Sequence, residues 1–205
     1  MKKAEQILVD YVEGESSIND FQKEFNENSE VIFLLRKKMS ISYLKAYNYN
    51  IYDYLTTQLA YSKGFWDCTY IRYVMWYNVN EWLKYHKIKC NPSLKYDQDY
   101  DYLLDIQPSW LDIVDDQGIF DKIIAQVPQD LSKAKRIQWG KEQLKKLFRY
   151  DKTYPRWIQA PEWPIVNGKP LVFSHQKKAG KDDVRTLYYF YDPDTKAETI
   201  ITQMY

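Results

Sequence analysis

Asn167-Gly168 is the most restrictive dipeptide in this sequence, because both central residues of a type I′ turn need positive φ and Asn-Gly supplies it with least strain. The stretch around it reads YPRWIQAPEWPIVNGKPLVFSHQ, then a charged loop, then VRTLYYFYDPDTKAETIITQMY. Leu171-Val172-Phe173 follows the turn as a strand core. Val184 to Tyr191 and Ala197 to Gln203 are two further β-rich runs, separated by the turn Asp192-Pro193-Asp194-Thr195. The expectation is an antiparallel meander of three strands preceded by a short hairpin arm.

Upstream the periodicity is helical. Ile7, Leu8, Tyr11 and Val12 form one apolar face that ends at Gly14, and Ser17 with Asp20 is a capping pair for a second helix bearing Ile18, Phe21 and Phe25. A third helix is expected over Glu30 to Lys38, and Ile51, Leu55 and Leu59 mark a fourth from about Tyr49 to Ser62. Asp67 is the expected cap of the clearest helix. Its stripe of Ile71, Val74, Met75, Asn78, Val79, Trp82, Leu83 and His86 runs on to a stop at Asn91-Pro92. Asn78 within that stripe is either a satisfied core amide or a polar group facing a pocket. Tyr102 to Ile106 is a short apolar run, and Pro108 can open a turn carrying Trp110, Leu111, Ile113 and Val114. Ile119 to Val127 is amphipathic. A last helix over 130–150 is expected to bury Leu131, Ala134, Ile137, Leu144, Leu147 and Phe148, with Gly140 marking a kink or a close approach. The expected fold is therefore α+β, one domain over 1–205, with a helical part at 1–152 packed on a small antiparallel meander at 153–205.

Composition narrows the class. A chain of 205 residues with 45% hydrophobic and 28% charged residues is globular rather than disordered, and a net charge of +1 argues against a polyanion or membrane surface as partner of the whole molecule. The 20 Tyr and 7 Trp exceed what a core requires; they suit contact surfaces, or reflect an AT-rich codon bias. Cys68 and Cys90, the only cysteines, lack metal-ligand spacing, and no apolar run is long enough for a signal peptide or a membrane span. Free thiols and a cytoplasmic location are expected.

Catalytic patterns are not present in the sequence. Neither His86 nor His175 has a carboxylate or cysteine at ligand spacing, and no phosphate loop, dinucleotide fingerprint, nucleophile elbow or HExxH motif occurs. No enzyme, metal or cofactor is indicated. An enzyme with a pocket of scattered carboxylates and tyrosines remains a third reading.

Two charge blocks cancel in the net charge. From Asp97 to Asp121 there are eight aspartates and no Lys or Arg; from Lys133 to Arg156 there are nine basic residues against Glu142 and Asp151. Each block is a solvated face, half of an internal pairing, or a partner surface. The acidic block interleaves aspartate with Tyr100, Tyr102 and Trp110, behind Tyr96 at its leading edge, as an inhibitor of a basic protein would. Its candidate partner-binding residues are Trp110, Asp112, Asp115 and Asp116. The basic block, 133–156, supports the alternative of a nucleic-acid-associated regulator, against which stand few interleaved aromatics and a pI near 7.6. Pro155 to Pro164 carries Trp157 and Trp163 between prolines, either as a strap sealing helices to sheet or as an aromatic ligand platform.

Three phrases, VDYVEGESSINDFQKEF, DIQPSWLDIVDD and PRWIQAPEWPIVNGKPLVF…YYFYDPDTKAETIITQMY, give the chain a pattern that resembles small bacterial immunity-type proteins found beside polymorphic secreted toxins. The resemblance implies a non-enzymatic cytosolic binder that neutralises a protein partner by occlusion.

Overall fold

The computed structural model describes residues 3–37, 39, 50–62, 64, 66–112, 118–180 and 183–204. Among them are eight helices: α1 (Ala4–Glu13), α2 (Ile18–Glu27), α3 (Ser29–Leu35), α4 (Ile51–Tyr61), α5 (Thr69–Tyr85), α6 (Lys95–Ile106), α7 (Ile119–Ala125) and α8 (Lys133–Leu147). Five strands follow: β1 (Ile165–Val166), β2 (Lys169–Pro170), β3 (Val172–Lys178), β4 (Arg185–Tyr191) and β5 (Glu198–Met204). The fold is α+β. The chain gathers into two compact units, Met1–Asp101 and Tyr102–Tyr205. The division falls inside α6, and α7 and α8 are gathered with the sheet.

In the N-terminal unit, local signals set the helix ends. Gly14 at φ 82° ends α1, and the N–H groups of Gly14 and Glu15 return to the carbonyls of Tyr11 and Asp10. Ser17 and Asp20 form a complete capping box at α2. Asn28 closes α2 and caps α3, and Asn50 caps α4. The helices bury Leu8, Tyr11, Phe21, Phe25, Leu35, Leu55, Ile71, Met75 and Trp82 in one cluster. Buried indoles are satisfied by backbone: Trp76 Nε1 donates to the Val12 carbonyl and Trp82 Nε1 to the Leu34 carbonyl, each at 3.1 Å. Asn78 is the satisfied amide, its Nδ2 donating to the Val74 carbonyl at 2.7 Å.

Three boundaries differ from expectation. Asp67 does not cap α5; Cys68 is the N-cap residue, and Asp67 instead pairs with Arg72 at 2.6 Å. The same helix ends at Tyr85, before Asn91-Pro92, because Lys87 takes φ 58° and the Ile88 N–H turns back to the Leu83 carbonyl. Helix α6 begins at Lys95, ahead of the apolar run at 102–106. It buries Leu103 and Ile106 and half-buries Tyr96 and Tyr100, and the two tyrosines hide the helical period from a count of aliphatic residues.

In the C-terminal unit, Asn167 and Gly168 take φ 51° and 71° and join β1 to β2, as the type I′ turn requires. The larger sheet has the order β3-β4-β5, all antiparallel, with an irregularity between Phe173 and His175. Thr186, Tyr188 and Phe190 face inward from β4. Helix α8 is shorter than 130–150: Phe148 leaves the helical region and Tyr150 bridges to Phe173. Leu144 and Phe148 are buried as expected, whereas Ala134 and Leu147 are exposed.

The segment between the prolines is the strap. Trp163 is 8% exposed and meets Phe148 edge to face at 5.5 Å and Phe190 at 5.3 Å. Trp157 is half-buried against Tyr188, with Nε1 donating to the Trp110 carbonyl. Gln203 holds the strap backbone: its Oε1 accepts from the N–H groups of Ile158 and Gln159, and its Nε2 donates to the Ala160 carbonyl.

Candidate functional site

An acidic, tyrosine-lined face on the N-terminal unit is the best-formed candidate interface. Helix α5 carries Tyr70, Tyr73 and Tyr77 at spacings of three and four, so they share a stripe beside the buried one. Tyr100 of α6 stacks on Tyr73 with ring centroids 4.2 Å apart and planes at 9°. Tyr70 flanks Tyr100 at 6.1 Å and Tyr77 flanks Tyr73 at 5.8 Å, making a run of four rings. Tyr70 is fixed by its hydroxyl, which donates to Gln58 Oε1 at 2.7 Å. Tyr77 stands open, 38% exposed.

Two carboxylates bear on this row. Burial pushes the Tyr73 hydroxyl above its ordinary pKa, and the negative charges of Asp97 and Asp101 add to that shift. Asp101 is exposed and Asp97 half-buried, and among the described residues neither forms an ion pair. Stacked phenol rings beside carboxylates offer a cation both charge and a π face. The rings are held by their mutual contacts, so little side-chain freedom is lost on binding.

The residues expected from the sequence are Trp110, Asp112, Asp115 and Asp116. Trp110, expected as an exposed apolar anchor, is 8% exposed and packs against Tyr154, Tyr150 and Trp163 at centroid distances of 5.9, 6.0 and 5.4 Å. Its ring area is used inside the C-terminal unit, where Tyr150, Tyr154 and Trp163 of the strap surround it. Asp112 is half-buried and has interactions of its own. Asp115 and Asp116 lie outside the described residues. From the acidic block, Asp97, Asp101 and Tyr100 border the tyrosine row. Sequence reasoning does not single out Tyr70, Tyr73 and Tyr77. The signal is present, since Tyr-x-x-Tyr-x-x-x-Tyr is helical spacing, but it runs beside a stronger aliphatic stripe.

The basic block meets the acidic one through the ion pair of Lys133 Nζ with Asp105, at 3.3 Å. Arg136 lies over the Tyr102 ring at 5.9 Å, and the Tyr102 hydroxyl donates to the Arg136 carbonyl at 2.8 Å. Lys135, Lys141, Lys145 and Lys146 are exposed. Among the described residues no group of three or more His, Cys, Asp or Glu is placed to hold a metal ion, and no helix is long and apolar enough to cross a membrane. No protein-family model, curated protein or solved structure matches this chain.

Proposed function

We propose that this chain is a non-enzymatic binding module that captures a basic protein partner on the acidic tyrosine face, acting in the cytoplasm by occlusion as an immunity-type protein does. One observation carries the reading: Tyr73 and Tyr100 form a parallel stack that borders Asp97 and Asp101. Tyrosine-rich patches with few ordering costs serve as interface hot spots, and clustered carboxylates steer a cationic partner. The toxin-neutralising consequence rests on the resemblance to immunity-type proteins.

The test is side-by-side capture with the native chain and with an Asp97→Asn, Asp101→Asn, Tyr77→Ala variant. The expected result is a basic protein retained by the first and lost by the second, with an association rate that falls as salt rises. A partner that binds both equally well would remove this face from the proposal. An Asp112→Asn, Asp115→Asn, Asp116→Asn variant run alongside tells whether the other half of the acidic block is used.

Nucleic-acid binding through α8 is the second reading, supported by the five exposed lysines on that helix, of which Lys133 pairs with Asp105. It requires affinity for a generic duplex that declines linearly in log salt. Loss of that affinity on replacing Lys141, Lys145 and Lys146 with Gln would favour it over protein capture.

A further inference from the structure

The edge strand β5 has the geometry of a self-pairing strand. The Asp192 N–H donates to the Ala197 carbonyl at 2.9 Å, and the register continues as Phe190 to Thr199, Tyr188 to Ile201 and Thr186 to Gln203. Backbone groups alternate along a strand, so Thr199, Ile201 and Gln203 bond to β4 while Glu198, Ile200, Thr202 and Met204 point outward. The carbonyl of Met204 is taken by Gln159 Nε2 at 2.8 Å. The opposite edge of the sheet is partly covered: Phe173 exchanges backbone hydrogen bonds with Arg149 and Asp151. Among the described residues the open stretch is therefore 198–202, bounded by the Asp192–Ala197 turn on one side and by Gln159 on the other. Its centre is Ile200, an isoleucine left 47% exposed.

Edge strands in soluble proteins are commonly protected by Lys, Pro or a bulge. Glu198–Met204 contains no Lys, Arg, Pro or Gly, and its pairing with β4 is regular throughout. The sequence is also compatible with itself in antiparallel register about Ile200. In that register Ile200 faces its counterpart, Glu198 faces Thr202, and Thr199 faces Ile201, so no like charges meet. On the solvent face, His175, Tyr189 and Ile200 lie in one row across β3, β4 and β5. His175 and Tyr189 stack at 4.4 Å with planes at 4°, and Lys177 Nζ sits 4.9 Å from the Tyr189 ring. Pairing about Ile200 would continue this row into the second copy and cover both isoleucines.

We propose that β5 is a dimerisation edge, on which a second copy of this chain pairs its own β5 antiparallel about Ile200 to make one six-stranded sheet. The contact is isologous and closes with twofold symmetry, so the product is a dimer and not a filament. It uses the C-terminal unit alone and does not depend on the acidic face.

Sedimentation of the full chain across a concentration series tests this, with two variants. Ile200→Lys sets two ammonium groups opposite each other across the twofold. Thr202→Pro removes an outward N–H and no bond to β4, which an edge strand tolerates. The expected result is a native dimer that each variant weakens about tenfold or more, with circular dichroism unchanged. A chain that is monomeric at every concentration overturns the proposal and leaves this edge to a strand of another protein. A dimer that persists unchanged in both folded variants overturns it as well.

Discussion

The Tyr102 hydroxyl stands 2.5 Å from the point where a Cβ on Gly140 would lie, and Ile106 Cγ2 stands 2.7 Å from the same point. Helix α8 can approach the last turn of α6 this closely only with hydrogen at that position. Glycine in a helix interior disfavours the helix by about 1 kcal/mol relative to alanine, and here the contact it permits outweighs that loss.

Gly140→Ala should therefore destabilise the protein despite the better helix propensity, by about 1–3 kcal/mol as overpacking does. Urea denaturation measures it. Tyr102→Phe in the Gly140→Ala background removes the nearest atom and should recover part of the loss, although it also deletes the hydrogen bond to the Arg136 carbonyl. An alanine variant as stable as the native chain would mean the helices do not touch here.

Trp163→Ala should cost about 3–5 kcal/mol, the usual range for a large aromatic removed from a core. Its ring lies among Phe148, Phe173, Phe190 and Trp110, so the cavity has no flexible neighbour to refill it. Trp157→Ala should cost less, because that indole is half-buried and packs mainly on Tyr188 and Phe190. Equal losses at the two positions would contradict this ordering.

Stability should fall as the solution is acidified through the ordinary histidine range, and His86 should account for part of it. Burial, and then the charge of Lys37, lower the His86 pKa, with Glu5 opposing. Its ring sits 4.2 Å from Trp82, and Nε2 has no hydrogen-bond partner among the described residues. A base with a lowered folded pKa binds fewer protons folded than unfolded. Stability is then full above the unfolded value of about 6.5 and declines below it until the folded pKa is passed. Between neutral and mildly acidic pH the denaturation midpoint of the native chain should fall further than that of the His86→Gln chain, and equal falls would contradict this.

Thiol titration should count two groups in the unfolded, unreduced protein. In the folded protein both should react slowly, for different reasons. Cys68 is 1% exposed, whereas Cys90 is half-buried with a pKa raised by burial and by the Glu13 carboxylate. A count of zero would place the chain in an oxidising compartment and remove the basis for a cytosolic partner.

Features that depend on a few neighbouring residues are legible in the sequence. The Ser17–Asp20 box, the Gly14 terminus, the Asn167-Gly168 turn and the three long strands each follow from local backbone preferences. The meander order follows too, because short turns leave adjacent strands no choice but antiparallel pairing. Gly140 is recognisable as a point of close approach, but the sequence does not say what approaches it.

The interface is less legible, for a physical reason. Tyrosine carries an apolar ring and a polar hydroxyl, so a tyrosine at helical spacing reads equally as core, rim or surface. Tyr11 is fully buried, Tyr96 is packed against the core and Tyr77 is open, and nothing local to each one distinguishes them. Trp110 is ambiguous for the same reason: in sequence it lies within an aspartate-rich stretch, while its neighbours in space are rings 40 to 53 positions away. The sequence by itself determined which segments are helix or strand and which tight turns join the strands, since short-range sterics and hydrogen bonds decide those; the start of α6 and the ends of α5 and α8 it did not. Which aromatic rings are core and which carboxylates share a face was decided only by tertiary packing, because burial depends on surfaces that residues far apart in the chain bring together.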